Sequence, residues 1–149
     1  MFAHPRCECT RASLTELREI LSRTTFAPNV RIVFIRPKGM PSGWEQDELW
    51  TKAAEIPRVR VECDAEGTEA RRAGATVSGY VLLGNPAGEI VFRGGITKSR
   101  GCAGDNAGRR TILALLSGTP TERHETPTFG CPLFTPRKCC EKEGVGCQP

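Results

Sequence analysis

An α/β sandwich with a mixed central sheet flanked by helices is the fold class that this 149-residue sequence predicts, and three observations predict it. The stretch VRIVFIRPKG holds an unbroken apolar core from Ile32 to Ile35 between Asn29 and the Pro37 to Gly39 break, the pattern of a parallel strand buried on both faces. Before and after it, apolar residues recur at helical spacing. Further on, VSGYVLL and EIVFR flank the turn residues Asn85, Pro86, Ala87 and Gly88, which reads as an antiparallel hairpin.

In order, Met1 to His4 forms the end of a strand that runs into two cysteines, Cys7 and Cys9. Leu14, Leu17, Ile20 and Leu21 then share one helical face, with Ser13 and Glu16 spaced as a capping box, so that Thr10 or Ser13 opens a helix. The central strand follows. A second capping box, Ser42 with Glu45, precedes Leu49, Trp50, Ala53, Ala54 and Ile56, a helix stopped by Pro57. VRVEC is a short strand, Thr68 to Ala73 a short helix capped by Gly74, and the hairpin comes next. After Gly94 and Gly95, a polar loop leads to Asp105 as the N-cap of a helix carrying Ile112, Leu113, Leu115 and Leu116 and ending at Gly118. Residues 1–118 thus make one domain. Residues 119–149, with prolines at 120, 127, 132, 136 and 149, read as an irregular, Cys/Pro-rich wrapping tail.

Composition narrows the function. Hydrophobic residues are 38% and charged residues 26%, as in ordinary globular proteins, and the length suffices for a core without disulfides. The net charge of +4 resides in residues 1–118, since the tail holds four Lys/Arg and four Asp/Glu. No basic stripe interleaved with aromatics accompanies it, which argues against nucleic acid as a partner. No run approaches the roughly 20 apolar residues of a membrane span, and no signal-peptide pattern precedes Cys7.

The order of elements, with HPRCECT between the first strand and the first helix, resembles the thioredoxin-like superfamily. Its organisation is similar to the extracytoplasmic TlpA and ResA type proteins over residues 1–117. HPRCECTRASL, GGITKSRG and GDNAGR also resemble the RedB-type thioredoxin-like proteins. The resemblance implies a three-layer thioredoxin-like sandwich, thiol:disulfide exchange with protein or small thiols and disulfides, no cofactor, and a periplasmic location. A membrane anchor, as in related proteins, would belong to a longer native form. On this alignment Cys7, five residues after Phe2, matches the family's first active-site cysteine. Cys9 departs from the family's spacing because Thr10 stands where CysXXCys proteins keep their second thiol, although bacilliredoxin-type proteins use a CysXCys pair. Gly79 aligns with the family's cis-proline and leaves a more open backbone there.

The residues themselves support the same chemistry. A thiol at a helix N-terminus near cations is acidified, and Arg6 and Arg11 flank the pair while Glu8 opposes them. A Cys7 thiolate would attack a disulfide and Cys9 would resolve the mixed disulfide; so short a loop strains the bond and makes it oxidising. His4, Pro5, Arg6 and Thr10 support the pair. The alternative is a soft-metal or metallochaperone-like site for copper or zinc on Cys7, Cys9 and His4; a redox-silent interaction domain stands third.

Cys63 ends an apolar strand as a core residue. Cys102 sits in a polar loop as a bystander or a third thiol. Cys131, Cys139, Cys140 and Cys147, with His124, match no standard zinc spacing and are read as disulfides pinning the tail outside the cytoplasm. A peroxidatic reading fails, because Thr10 follows Cys7 instead of preceding it by three. No hydrolase triad, phosphate loop or HisGluXXHis helix is present.

Overall fold

The computed structural model describes residues 1–25 and 28–134. Its elements are β1 (Phe2–Ala3), α1 (Glu8–Arg23), β2 (Val30–Arg36), α2 (Glu48–Ala54), β3 (Val59–Ala65), α3 (Thr68–Arg72), β4 (Val81–Gly84), β5 (Ile90–Gly94), α4 (Ala107–Leu116) and β6 (Glu125–Thr126). The chain is therefore mixed α/β, with the strands and helices in the expected order and one further strand. None of its described helices is long and apolar enough to cross a membrane.

Strand β2 is central to a parallel trio ordered β1-β2-β3, with Phe2 opposite Val33 on one side and Val30 to Arg36 opposite Val59 to Ala65 on the other. The hairpin β4-β5 is antiparallel, and β6 pairs parallel with β5. An antiparallel bridge between Phe2 and Tyr80 joins the two sets at the β1 edge.

Side-chain alternation along β2 divides the interior in two. Ile32 and Phe34 face a core with Leu14, Leu17 and Ile20 of α1, Leu49 and Ala53 of α2, and Ile112 of α4. Val33 and Ile35 face a second core with Phe2, Ala70 of α3, Ala75 and Leu133. Helices therefore cover both faces, and each fully buried large side chain contributes about 1.5–3 kcal/mol.

Helix starts are where the sequence reading needs correction. Helix α1 begins at Glu8 with Cys7 as N-cap, a full turn before Ser13, so Ser13 and Glu16 lie inside the helix. Glu16 instead crosses to the loop before α4: its carboxylate accepts from the backbone N–H of Gly104, from Asn106 Nδ2 (3.1 Å) and from Arg109 Nη1 (3.0 Å). For α2 the cap is Asp47, whose carboxylate accepts from the N–H of Glu48, and Glu45 is a buried partner of Arg36. At α4 the cap is Asn106, one residue after the expected Asp105, accepting from the N–H of Arg109. Helix α3 is capped from across the chain by Asp64 at the end of β3, which accepts from the N–H groups of Glu69 and Ala70.

Within the tail, residues 119–134 are held against the domain more closely than an irregular segment would be. They supply β6, bury Cys131 and Leu133, and run back across residues 76–78. Cys139, Cys140 and Cys147 lie outside the described residues.

Candidate functional site

Three cysteine sulfurs converge at the N-terminal end of α1. Cys7, Cys9 and Cys131 form a buried cluster of their own, separate from both apolar cores. The chain reaches Cys7 through β1 and a tight turn in which Pro5 is fully buried. Cys7 has extended backbone (φ −122°, ψ 117°) and its carbonyl accepts from the N–H of Thr10 at 2.8 Å, which starts the helix. Its side chain thus lies where the helix offers unpaired N–H groups and positive dipole.

Cys131 arrives from the tail. The Sγ atoms of Cys7 and Cys131 share a hydrogen bond at 2.9 Å. Burial works to raise the Cys7 thiol, but hydrogen bonds from the Cys131 side chain and from backbone groups of Cys131, Thr10 and Cys9 outweigh it, and the net direction is down. Cys9, one residue into the helix, is pushed up to about 11 by burial first and then by the charge of Cys7 and Cys131. The two cysteines of the motif are therefore electrostatically unlike: Cys7 is held below the ordinary thiol value and Cys9 above it.

The expected cations act elsewhere. Arg6 lies over the Trp44 ring, 4.7 Å from its centroid, and pairs with Asp47; Arg11 pairs with Glu48 and Glu8. The guanidinium that reaches the sulfurs belongs to Arg100, whose Nη1 donates to the Gly130 carbonyl at 2.8 Å and whose Nη2 lies 3.9 Å from Cys131 Sγ. Its charge also opposes the rise at Cys9. Arg100 sits at the tip of a turn closed by backbone hydrogen bonds between Ser99 and Cys102 and between Lys98 and Cys102. Cys102 closes that turn through its backbone, and its sulfur is disulfide-bonded, so it is not the third free thiol that the sequence suggested.

Beneath the sulfurs is a buried polar knot. Thr10 Oγ1 donates to the His4 carbonyl (3.0 Å) and shares a hydrogen bond with Ser78 Oγ (2.7 Å), which in turn accepts from the N–H of His4 (2.8 Å). These contacts tie the strand before Cys7, the first turn of α1 and the segment before β4 into one unit. His4 is buried, its Nδ1 accepts from the N–H of Arg6, and its ring meets Trp44 edge-on. That orientation aims Nδ1 into its own turn. Among the described residues no group of three or more His, Cys, Asp or Glu side chains is arranged to hold a metal ion.

Gly79 follows Ser78 and explains why proline is absent there. Its φ is +91°, its N–H donates to the Phe2 carbonyl at 2.8 Å, and a Cβ would stand 2.7 Å from Ser13 Oγ. A proline would lose the hydrogen bond and could not adopt that φ.

Cys63 and His124 stand apart. Cys63 lies on β3, half-buried, and is pushed up to about 11 by burial and by its hydrogen bond with Glu45. His124 is exposed beside β5, with Nδ1 2.8 Å from the Val91 carbonyl. Sequence reasoning reached Cys7, Cys9, His4, Pro5, Thr10 and Gly79, but missed Cys131, Arg100, Ser78 and Trp44 as neighbours of the motif. The missed signals were the lone arginine of the SRGC turn and a cysteine standing between glycine and proline.

No family model matches this chain, and no curated protein matches it. Two solved structures resemble it. An uncharacterized conserved protein from Geobacillus kaustophilus superposes with a TM-score of 0.64 at 21% identity, over 93% of this chain and 77% of the other. A hypothetical protein from Sinorhizobium meliloti 1021 gives 0.61 at 20% identity, over 90% and 77%. At such identities the likeness is one of fold.

Proposed function

We propose that this chain is a thioredoxin-like thiol:disulfide oxidoreductase in which Cys7 is the attacking thiolate. The observation that carries the reading is the acidified Cys7 sulfur at the N-cap of a 16-residue helix, 2.9 Å from a second sulfur. A thiolate at that place is the nucleophile that disulfide exchange requires, and a neighbouring sulfur is the group that can release a mixed disulfide. The strand order, the bridge from Phe2 to Tyr80 and the helices on both faces support a three-layer thioredoxin-like sandwich. Substrates are protein or small-molecule disulfides and thiols, and eight cysteines suit an oxidising, extracytoplasmic compartment. Cys9, two residues on, is the motif's own candidate to resolve the mixed disulfide, although its raised pKa keeps it protonated and slows its attack at neutral pH.

The test is equilibration of the full chain in glutathione buffers of graded ratio, followed by acid quench, alkylation and counting of thiols. A reversible two-electron transition that disappears in Cys7→Ser is the expected result. A thiol count that stays constant across the series contradicts the reading.

A further inference from the structure

We infer that Cys131, carried on the tail strap, is the thiol that pairs with Cys7, and that the strap occupies the groove in which a substrate chain would lie. The inference rests on the exchange chemistry proposed above and names its second sulfur. Geometry separates the two candidates. Cys131 Sγ hydrogen-bonds Cys7 Sγ at 2.9 Å, about 0.9 Å from covalent S–S distance. Cys9 shares the first turn of the same helix, so its pairing with Cys7 closes a loop too short to form without bending that turn.

The strap is seated as an added strand. The N–H of Ser78 donates to the Cys131 carbonyl (2.9 Å), the N–H of Leu133 donates to the Thr76 carbonyl (2.9 Å), and Val77 bridges Pro132 in antiparallel sense. An extended peptide docks on an open backbone edge in this way, with main-chain hydrogen bonds fixing its register. Register here puts the cysteine against Cys7. Three contacts lock it: Leu133 is buried in the second core, Arg100 grips the Gly130 carbonyl, and Gly130 itself lies so close to the Ser78 carbonyl that any Cβ would collide with it. Cys7 is fully buried beneath, so a disulfide substrate reaches it only when the strap lifts.

The cycle balances. With the strap displaced, the Cys7 thiolate attacks one sulfur of a substrate disulfide, forming a mixed disulfide and releasing the other sulfur as a thiolate. The strap returns, Cys131 gives up its proton, and its sulfur attacks Cys7 Sγ. A Cys7–Cys131 disulfide forms, and the second substrate sulfur leaves and takes the proton. The substrate disulfide gains two electrons and the Cys7–Cys131 pair loses them.

Trypsin separates the possibilities, because residues 7–11 form a peptide carrying Cys7 and Cys9, while residues 124–137 carry Cys131 alone. The full chain is incubated with oxidised glutathione, quenched in acid, alkylated, digested and mapped by mass spectrometry. The expected product is peptide 7–11 linked to peptide 124–137, with Cys9 alkylated. In parallel, Cys131→Ser is expected to accumulate about tenfold more glutathione on Cys7 than Cys9→Ser does, since it loses the intramolecular thiol. An internal bond within peptide 7–11, with Cys131 alkylated, overturns the inference and leaves Cys7 exchange standing. Absence of any oxidation at Cys7 overturns the exchange reading itself.

Discussion

Two thiol environments in this molecule, around Cys7 and around Cys63, begin from the same physical push and end in opposite places. Burial drives both thiols upward. At Cys7, sulfur and backbone donors at a helix start reverse the push; at Cys63 the neighbour is the Glu45 carboxylate, which adds to it. The lesson is that burial does not decide reactivity. The sign of the groups facing the sulfur does.

The largest contrast is in turnover. Replacing Cys7 by serine is expected to abolish exchange with oxidised glutathione, whereas Cys63→Ser leaves the rate within about twofold of the parent. Equal losses in the two variants, measured by thiol release, would erase the distinction between the regions.

Next is the knot that holds the helix start in place. Thr10→Val keeps shape but removes the hydroxyl that bonds the His4 carbonyl and Ser78 Oγ. A loss of about 1–3 kcal/mol in urea unfolding is expected, from the buried groups left unpaired. The equivalent change at exposed Thr15, whose hydroxyl bonds the Arg11 carbonyl one turn back, is expected to cost under about 1 kcal/mol.

Glu45→Gln sharpens the comparison from the other side. Removing the carboxylate charge lowers the Cys63 pKa from about 11 and speeds its alkylation at neutral pH by about threefold for each unit recovered, the gain in thiolate being partly offset by its lower nucleophilicity. An unchanged rate would mean that burial alone holds Cys63 up.

Stability should also follow pH with a definite sign. Cys9 and Cys63 have folded values near 11, above an unfolded thiol at about 8.5, so the native state holds their protons more tightly. Their contribution is fully present below pH ~8.5 and is lost as pH rises toward 11. Cys7, shifted down, contributes in the opposite sense: its part is present above pH ~8.5 and is lost as pH falls through its folded value. Denaturant midpoints of Cys7→Ser and of a Cys9→Ser, Cys63→Ser double variant, measured against pH, separate the two.

The mixed α/β order was legible because β2 carries its own signature: four apolar residues in succession between Asn29 and the Pro37 to Gly39 break match a short strand covered on both faces, and Ile32/Phe34 and Val33/Ile35 divide between two cores. Hairpin and helix order were legible for similar local reasons. Helix starts were less so, since Ser13 and Glu16 satisfy the capping pattern yet Glu16 is spent on Asn106, Gly104 and Arg109 far along the chain. The site was half legible. Cys7 and Cys9 stand out by spacing, but Cys131 lies 124 residues from Cys7 and meets it only because the strap pairs with residues 76–78. Arg6 and Arg11 looked like the acidifying cations by proximity in sequence; Trp44, Asp47, Glu48 and Glu8 claim them instead.

The most direct test of the central claim is the ultraviolet thiolate absorbance of the reduced protein followed against pH, with the Cys7→Ser curve subtracted. A difference curve with its midpoint below the ordinary thiol value of about 8.5 is the predicted result. A midpoint above that value, like those of Cys9 and Cys63, would mean that the donors around Cys7 do not overcome its burial, and Cys7 would not be the attacking thiolate.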